Sequence, residues 1–403
     1  RQIGKAEPFD WEAPHDAPAA IIFTTGSTGP PKGVLYSHGN FDQQVVQIQE
    51  AYRIEPGEID VPGFPLFGLF NAAMGVTTVI PDMDPTRPAQ TNPRNIIEAI
   101  SDFDATQSFG SPALWNVVGR HCEKEQIRLP TLQRVLSAGA PVPVHVLKRM
   151  TAAMADGGEM HTPYGATEAL PVASISAREV LQDTAARSEA GAGTCVGRKF
   201  SGIEWKIIKI SDDPISTIDN CEEVPRGEIG ELMVCGPVVT SGYVTRTDAN
   251  ALHKVTDGDS YWHRMGDVGY FDDDDRFWFC GRKAHRVETD RGVLFTVPCE
   301  AIVNAHPEVY RSALVGIGER PSQTPVIIVE TESNRLTAPA RERLANEIRE
   351  LMQANPLTEQ IELLLFHPSF PVDIRHNAKI FREKLSIWAA KKLRQKPTQV
   401  NNA

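Results

Sequence analysis

The sequence contains no cysteine pair: Cys122, Cys195, Cys221, Cys235, Cys280 and Cys299 are scattered, without a CxxC or metal-ligand spacing. That speaks against a disulfide scaffold or a zinc module and suits reduced thiols in a cytoplasmic enzyme. An excess of basic residues is also missing. Forty-one Lys and Arg face 52 Asp and Glu, a net charge of −11, which argues against a nucleic-acid surface. A local basic site for an anionic cofactor remains open. No long hydrophobic run is present, and so no transmembrane segment is expected. The longest uncharged stretch, "FPLFGLFNAAMGVTTVIP" (64–81), is short for a span and is interrupted by Pro65, Gly68, Asn71 and Gly75. It reads as a buried element or the wall of an apolar pocket. Internal repeats and low-complexity tracts are absent.

What is present is a chain of 403 residues, long enough for two or more domains. Its first half alternates strand-like and helix-like segments. "AAIIFTT" reads as a strand, and "FDQQVVQIQEAY" places Phe41, Val45, Ile48 and Tyr52 on one helical face. Such alternation implies a mostly parallel sheet covered by helices, an α/β class. From about residue 193 the segments become short strands with turn signals, as in an antiparallel barrel or sandwich. A smaller α+β unit follows Gly281. The expected division is 1–281, with 193–281 as its β-rich part, and 282–403 as a small C-terminal domain.

Polar motifs punctuate this scaffold. In "TTGSTGPPKG" (24–33), Thr25, Ser27 and Thr28 supply hydroxyls, Gly26 and Gly29 free the backbone, and Lys32 supplies a cation. Such a loop suits phosphate oxygens. It is not a Walker loop, because Lys32 lies between Pro31 and Gly33 and "GVLYS" reads as a strand rather than a helix. A polar hairpin turn is the competing reading. "TPYGATE" (162–168) joins a glycine turn, an aromatic, a hydroxyl and a carboxylate, or is a plain turn with a surface glutamate. "RMGDVGYF" (264–271) sets Asp267 in a Gly-flanked turn, where it either binds a ligand or bonds its own backbone. "GR" (281–282) reads equally as a boundary turn, and Lys379 in "DIRHNAKIFREKL" as a solvated lysine.

In this order, together with "SAGAPV" (137–142) and "GELMVCGPVVTSGYV" (230–244), the set resembles the adenylate-forming superfamily of acyl-CoA synthetases, luciferases and peptide-synthetase adenylation domains. The resemblance implies that fold: a large domain of α/β layers plus a small β-barrel, then a small α+β domain. It implies ATP and Mg²⁺ as cofactors. Thr25, Gly26, Ser27, Thr28, Gly29 and Lys32 would hold the β- and γ-phosphates. Gly139, Ala140 and Pro141 would border the adenine edge, and Tyr164, followed by Gly165, would stack on its face. Thr167 would contact the α-phosphate, Glu168 would ligate Mg²⁺, and Asp267, assisted by Arg282, would bind the ribose hydroxyls. Lys379 would stabilise charge on the α-phosphate and substrate carboxylate.

Within the superfamily, "FPLFGLFNAAMGVTTVIPDMDPTRPA", "SFGSPALW", "TPYGATEALPVASI" and "PVDIRHNAKIFREKLSIWAAKKL" resemble the olefin β-lactone synthetases of bacterial long-chain olefin biosynthesis. That implies a long-chain 2-alkyl-3-hydroxy acid as substrate. It also implies a complex with a β-lactone decarboxylase and a 2-alkyl-3-oxoalkanoate reductase. Phe64, Leu66, Phe67, Leu69 and Phe70 would line a dry pocket or simply pack a core. A long-chain acyl-CoA ligase is the alternative. The sequence departs from the superfamily in the expected ways for a thiol-free reaction: Ala284 replaces a hinge charge, and "VETDRGVLFTVPCE" lacks the turn that lines a pantetheine tunnel. Only about twenty residues precede the phosphate loop, so the N-terminal subdomain is expected to be truncated.

Overall fold

The computed structural model describes residues 13–24, 30–333, 336–372 and 380–394. Strands β1 (Pro18–Phe23) and β2 (Gly33–Ser37) flank the phosphate-loop motif and pair antiparallel. Ser37 then starts helix α1 (His38–Tyr52) with a capping box, its hydroxyl accepting from the Asn40 N–H.

The central sheet has seven strands in the order β10-β8-β7-β6-β5-β3-β4. They are β3 (Ile59–Asp60), β4 (Thr77–Thr78), β5 (Gln107–Gly110), β6 (Arg134–Ser137), β7 (Glu159–Ala166), β8 (Ala169–Ser176) and, after β9 (Thr194–Cys195) of a second sheet, β10 (Arg198–Lys199). From β4 to β7 the pairing is parallel; β8 and β10 run antiparallel. The parallel part requires crossovers, supplied by α2 (Gly68–Met74), α3 (Pro93–Asp102), α4 (Pro112–Glu125) and α5 (Val144–Ala153). Each of the last three buries one stripe: Ile96, Ile97 and Ile100 from α3, Leu114, Trp115 and Val118 from α4, and Val146, Leu147 and Met150 from α5.

A helical run from 177 to 192, containing the short pieces α6 (Ala177–Glu179) and α7 (Ala185–Arg187), leads to the second sheet. This one is antiparallel throughout, β11 (Glu204–Ile208), β12 (Gly230–Cys235), β14 (Ser260–Phe271), β15 (Phe277–Arg282) and β9, with β13 (Lys254–Asp257) also on β14. Helix α8 (Asn250–His253) precedes β13. A shared core of Ile48, Tyr52, Val172, Phe200, Leu232, Val234 and Phe277 joins α1, β8 and this sheet.

Beyond Arg282 come the hairpin β16 (Val287–Thr289) and β17 (Gly292–Leu294), helix α9 (Thr296–Asn304), strands β18 (Val309–Ile317) and β19 (Thr324–Thr331), helix α10 (Ala338–Gln353), strand β20 (Leu363–Phe366) and helix α11 (Arg382–Arg394). The α/β pattern, the change to antiparallel strands and the α+β character of the last third agree with the sequence reading. Two expectations need correction. The buried side of α1 carries Asn40, Gln44 and Gln47 beside Ile48 and Tyr52, whereas Phe41 and Val45 are only half-buried. The stretch 64–81 is not uniformly buried, since Phe64, Leu69 and Ile80 are 41%, 67% and 60% exposed. Among the described residues no helix is long and apolar enough to cross a membrane.

Candidate active site

Parallel strands put their carboxyl ends on one side of a sheet, and the loops leaving those ends frame a crevice. Here the loops carry Gly139, Ala140 and Pro141 after β6, and Thr167 and Glu168 where β7 turns into β8. Gly139 has φ +95, which favours glycine, and both it and Pro141 are exposed. At the end of β5 the ring of Phe109 is stacked by Phe67, and Phe67 in turn lies 6.1 Å from Phe70 and 6.2 Å from the exposed Phe64.

The β7–β8 turn is tightly built. A Cβ on Gly165 would lie 2.8 Å from the Ala169 carbonyl oxygen and 2.9 Å from Leu170 Cβ. Ala166 pairs with Ala169, so Thr167 and Glu168 form the two-residue connection. The Tyr36 hydroxyl donates to the Thr167 carbonyl (2.6 Å), and the Thr240 N–H and hydroxyl both donate to the Glu168 carbonyl (3.0 Å). The Glu168 side chain is thereby aimed inward. Its Oε1 accepts from the Tyr243 hydroxyl at 2.6 Å and lies 3.9 Å from Lys32 Nζ.

Lys32 enters from the other side. Its N–H bonds to Thr24 Oγ1 (3.0 Å), and the Gly33 N–H to Thr245 Oγ1 (2.7 Å), which ties the strand to the 240–245 segment. The ammonium sits 4.6 Å above the Tyr243 ring centre and 3.3 Å from His253 Nε2. Burial lowers the Lys32 pKa, with the Glu168 charge opposing it.

A second group lies on the antiparallel sheet. Asp267 does not occupy a turn, as its flanking glycines suggested. It lies inside the twelve-residue strand β14, where the register against β12 shifts between Val268 and Arg264. Gly266, at φ +66, forms this bulge and turns Asp267 towards its cross-strand partner Arg282. Arg282 Nη1 is 2.9 Å from Asp267 Oδ1, and the Tyr164 hydroxyl donates to Oδ2. Burial raises the Asp267 pKa against the opposing charge of Arg282. Burial, reinforced by the Asp267 charge, holds the Tyr164 phenol well above its ordinary value. Oδ1 is ion-paired with Arg282 but accepts no hydrogen bond among the described residues, which leaves it able to accept one from a sugar hydroxyl.

Lys32 and Glu168 thus face each other, with Thr167 next to Glu168 in the β7–β8 turn, while Tyr164, Asp267 and Arg282 form one linked trio. Thr25, Gly26, Ser27, Thr28, Gly29 and Lys379 lie outside the described residues. Sequence reasoning missed Tyr243 and His253; the only signal was the aromatic of "TSGYV" beside Gly242. Chemically, one half-buried ammonium opposite a carboxylate suits an anion accompanied by a hard divalent cation, since such cations take oxygen ligands. The donor set therefore fits a magnesium-bound polyphosphate.

The fold superposes on solved adenylate-forming enzymes. The amide bond synthetase McbA from Marinactinospora thermotolerans matches with a TM-score of 0.72 at 24% identity, over 92% of this chain and 69% of that one. The O-succinylbenzoate coenzyme A synthetase MenE from Bacillus subtilis, solved with ATP and magnesium ion, matches with a TM-score of 0.72 at 21% identity, over 94% and 72%. The molecule accordingly has the adenylate-forming fold. Residues 3–244 match the family described as AMP-binding enzyme. The olefin beta-lactone synthetase of Stenotrophomonas maltophilia (strain K279a) is 47% identical over 383 residues, 94% of this chain and 68% of that protein. The chain belongs to the AMP-binding enzyme family, and it is an adenylate-forming ligase.

Proposed function

We propose that this ligase converts long-chain 2-alkyl-3-hydroxy acids into β-lactones, consuming ATP and releasing pyrophosphate and AMP. The observation that supports this product is the 47% identity to an olefin beta-lactone synthetase along nearly the whole chain. A substrate carboxylate oxygen attacks the α-phosphorus of ATP, and the bond to pyrophosphate breaks. The oxygen of the substrate's own 3-hydroxyl then attacks the activated carbonyl carbon. The carbonyl–AMP bond breaks, the hydroxyl proton leaves, and a four-membered lactone closes.

Each group has a physical task in this scheme. Lys32 binds phosphate oxygens, assisted by the hydroxyls of the 25–29 loop. Glu168, oriented by Tyr243, would hold Mg²⁺, which supplies charge neutralisation on the phosphates when bound. Thr167 meets the α-phosphate, and the Tyr164–Asp267–Arg282 trio receives the nucleoside. Lys379 stabilises the two anions as they meet. Phe67, Phe70 and Phe109 form the apolar wall that keeps water from the adenylate. A tethered hydroxyl needs no thiol tunnel, since well-oriented intramolecular reactions reach effective molarities of roughly 10⁵–10⁸ M. Ring strain keeps a β-lactone far below that range, and the good leaving group AMP offsets it.

The test is mass spectrometry after incubation with a synthetic 2-alkyl-3-hydroxy acid, ATP and Mg²⁺, without any thiol. Lactone and free AMP are expected, and both should vanish in Lys379→Ala. Absence of lactone, with rapid thioester formation once coenzyme A is added, would replace this reading with a long-chain acyl-CoA ligase.

A further inference from the structure

The arrangement around Lys32 raises a question of aim. A lysine ammonium ends a four-carbon stem that is free to rotate, and Lys32 has other cations about it. Arg282 and Arg246 both act electrostatically to discharge it. Glu168 Oε1, at 3.9 Å, supplies attraction but is beyond hydrogen-bond reach. Among the described residues, the polar atom that does reach the ammonium is His253 Nε2, at 3.3 Å.

His253 ends helix α8, and its ring is held on two further sides. Nδ1 lies 3.3 Å from the carbonyl oxygen of Arg264, and the ring edge meets the face of Tyr243 at 5.9 Å and 80°. A carbonyl oxygen can only accept, so Nδ1 must carry the proton. Nε2 is then a lone pair, and the ammonium beside it can only donate. The chain of bonds has one direction: Lys32 Nζ–H to His253 Nε2, and His253 Nδ1–H to Arg264 O. Arg264 is itself fixed, because its fully buried guanidinium bonds to Glu231, Asp213 O and Leu252 O.

We infer that His253 is a positioning residue for Lys32: a neutral imidazole, locked in the Nδ1–H form by the Arg264 carbonyl, that takes one ammonium proton and aims the rest at the nucleotide's phosphates. This rests on reading Lys32 as the phosphate-binding lysine. The charged groups that face the imidazole are Lys32 before β2, Glu168 in the β7–β8 turn and Lys283 after β15, with Lys254 and His263 flanking it on β13 and β14. Burial and the Lys32 charge push the His253 pKa down to about 4, so the ring stays neutral at physiological pH. An imidazolium there would repel the lysine.

The experiment compares ATP–pyrophosphate exchange in the wild type, His253→Phe, His253→Gln and Lys32→Ala. Nitrogen chemical shifts of histidine-labelled wild-type protein are read alongside. His253→Phe keeps a ring but no acceptor, and its KM for ATP is expected to rise about tenfold, the worth of a hydrogen bond to a charged group, with kcat little changed. His253→Gln restores an acceptor at the same reach and should recover most of the loss, which a purely structural role would not predict. The wild-type shifts should report a neutral His253 protonated on Nδ1 at pH 7. An unchanged KM in His253→Phe beside a raised KM in Lys32→Ala overturns the inference alone, as does a proton on Nε2. An unchanged KM in Lys32→Ala overturns the phosphate reading and this inference with it.

Discussion

Asp60 ends β3 at 3% exposure, and its Oδ2 accepts from the Asn71 amide at 2.7 Å. Burial dominates there, and the Asn71 bond and the charge of Arg134 only partly oppose it, so the carboxyl pKa rises from 3.8 to about 7. The sign follows from proton counting. Between these two values the folded chain holds a proton that the unfolded chain has released, so stability is lost as pH rises through the window. Asp60→Asn removes that dependence. The stability of the wild type relative to the variant should therefore fall by about 1.4 kcal/mol per pH unit across the window, and level off above it. Denaturant midpoints of both proteins at pH 5 and pH 8 measure this. An equal difference at the two pH values would mean that Asp60 ionises normally.

At the scale of elements, α1 shows which parts of the fold sequence patterns reveal and which they hide. Its existence and its end at Tyr52 follow from the apolar spacing of 41–52, whereas its start lies three residues earlier, at His38 after the Ser37 cap. Its buried face followed only in part, because beside the side-chain core at Ile48 and Tyr52 the helix also packs against backbone carbonyls. Asn40 donates to Pro237 O at 2.9 Å, and Gln44 to Leu170 O at 2.9 Å. Buried carbonyls need donors, so amides stand where hydropathy alone expects Val45 and Phe41. The same blindness explains Asp267: Gly266 signals a turn and a bulge alike, and only the register of β12 against β14 distinguishes them. His253 was invisible for a plainer reason, lying 221 positions from Lys32. By contrast, the parallel strands, the antiparallel β11–β15 region and the β7–β8 turn were legible, since each depends on local pattern and glycine placement. The capping box gives a direct check on α1. Ser37→Ala leaves the Asn40 N–H without its acceptor and should cost about 1 kcal/mol, read as a lower denaturant midpoint with unchanged slope. An unshifted midpoint would mean that tertiary packing alone fixes this end of the helix.

For the molecule as a whole, the question is what fastens the chain beyond Arg282, where we propose a domain boundary, to the sheet before it. Glu231 on β12 is fully buried and takes Arg264 Nη2 at 2.6 Å and Lys283 Nζ at 3.0 Å. Arg286 continues the attachment through Asp212, and Arg320 donates to the Ala284 and Arg286 carbonyls. One carboxylate thus pairs with both a fully buried guanidinium and the first lysine past the proposed boundary. Glu231→Gln keeps the shape but leaves Arg264 with carbonyl partners and no counter-charge. Breaking a buried pair from one side typically costs 3–5 kcal/mol, more than the pair itself contributes. The expected result is a loss of about that size in unfolding free energy. Trypsin should also cut faster at Lys283 and Arg286, whose side chains the wild type holds in ion pairs. Adding Arg264→Met should recover part of the loss, because the orphaned charge goes with it. If the single variant unfolds and is cleaved like the wild type, the segment after Arg282 is held by apolar contacts instead. The hydrophobic packing of Leu357 and Ile302 around Gly191 would then be the place to break it.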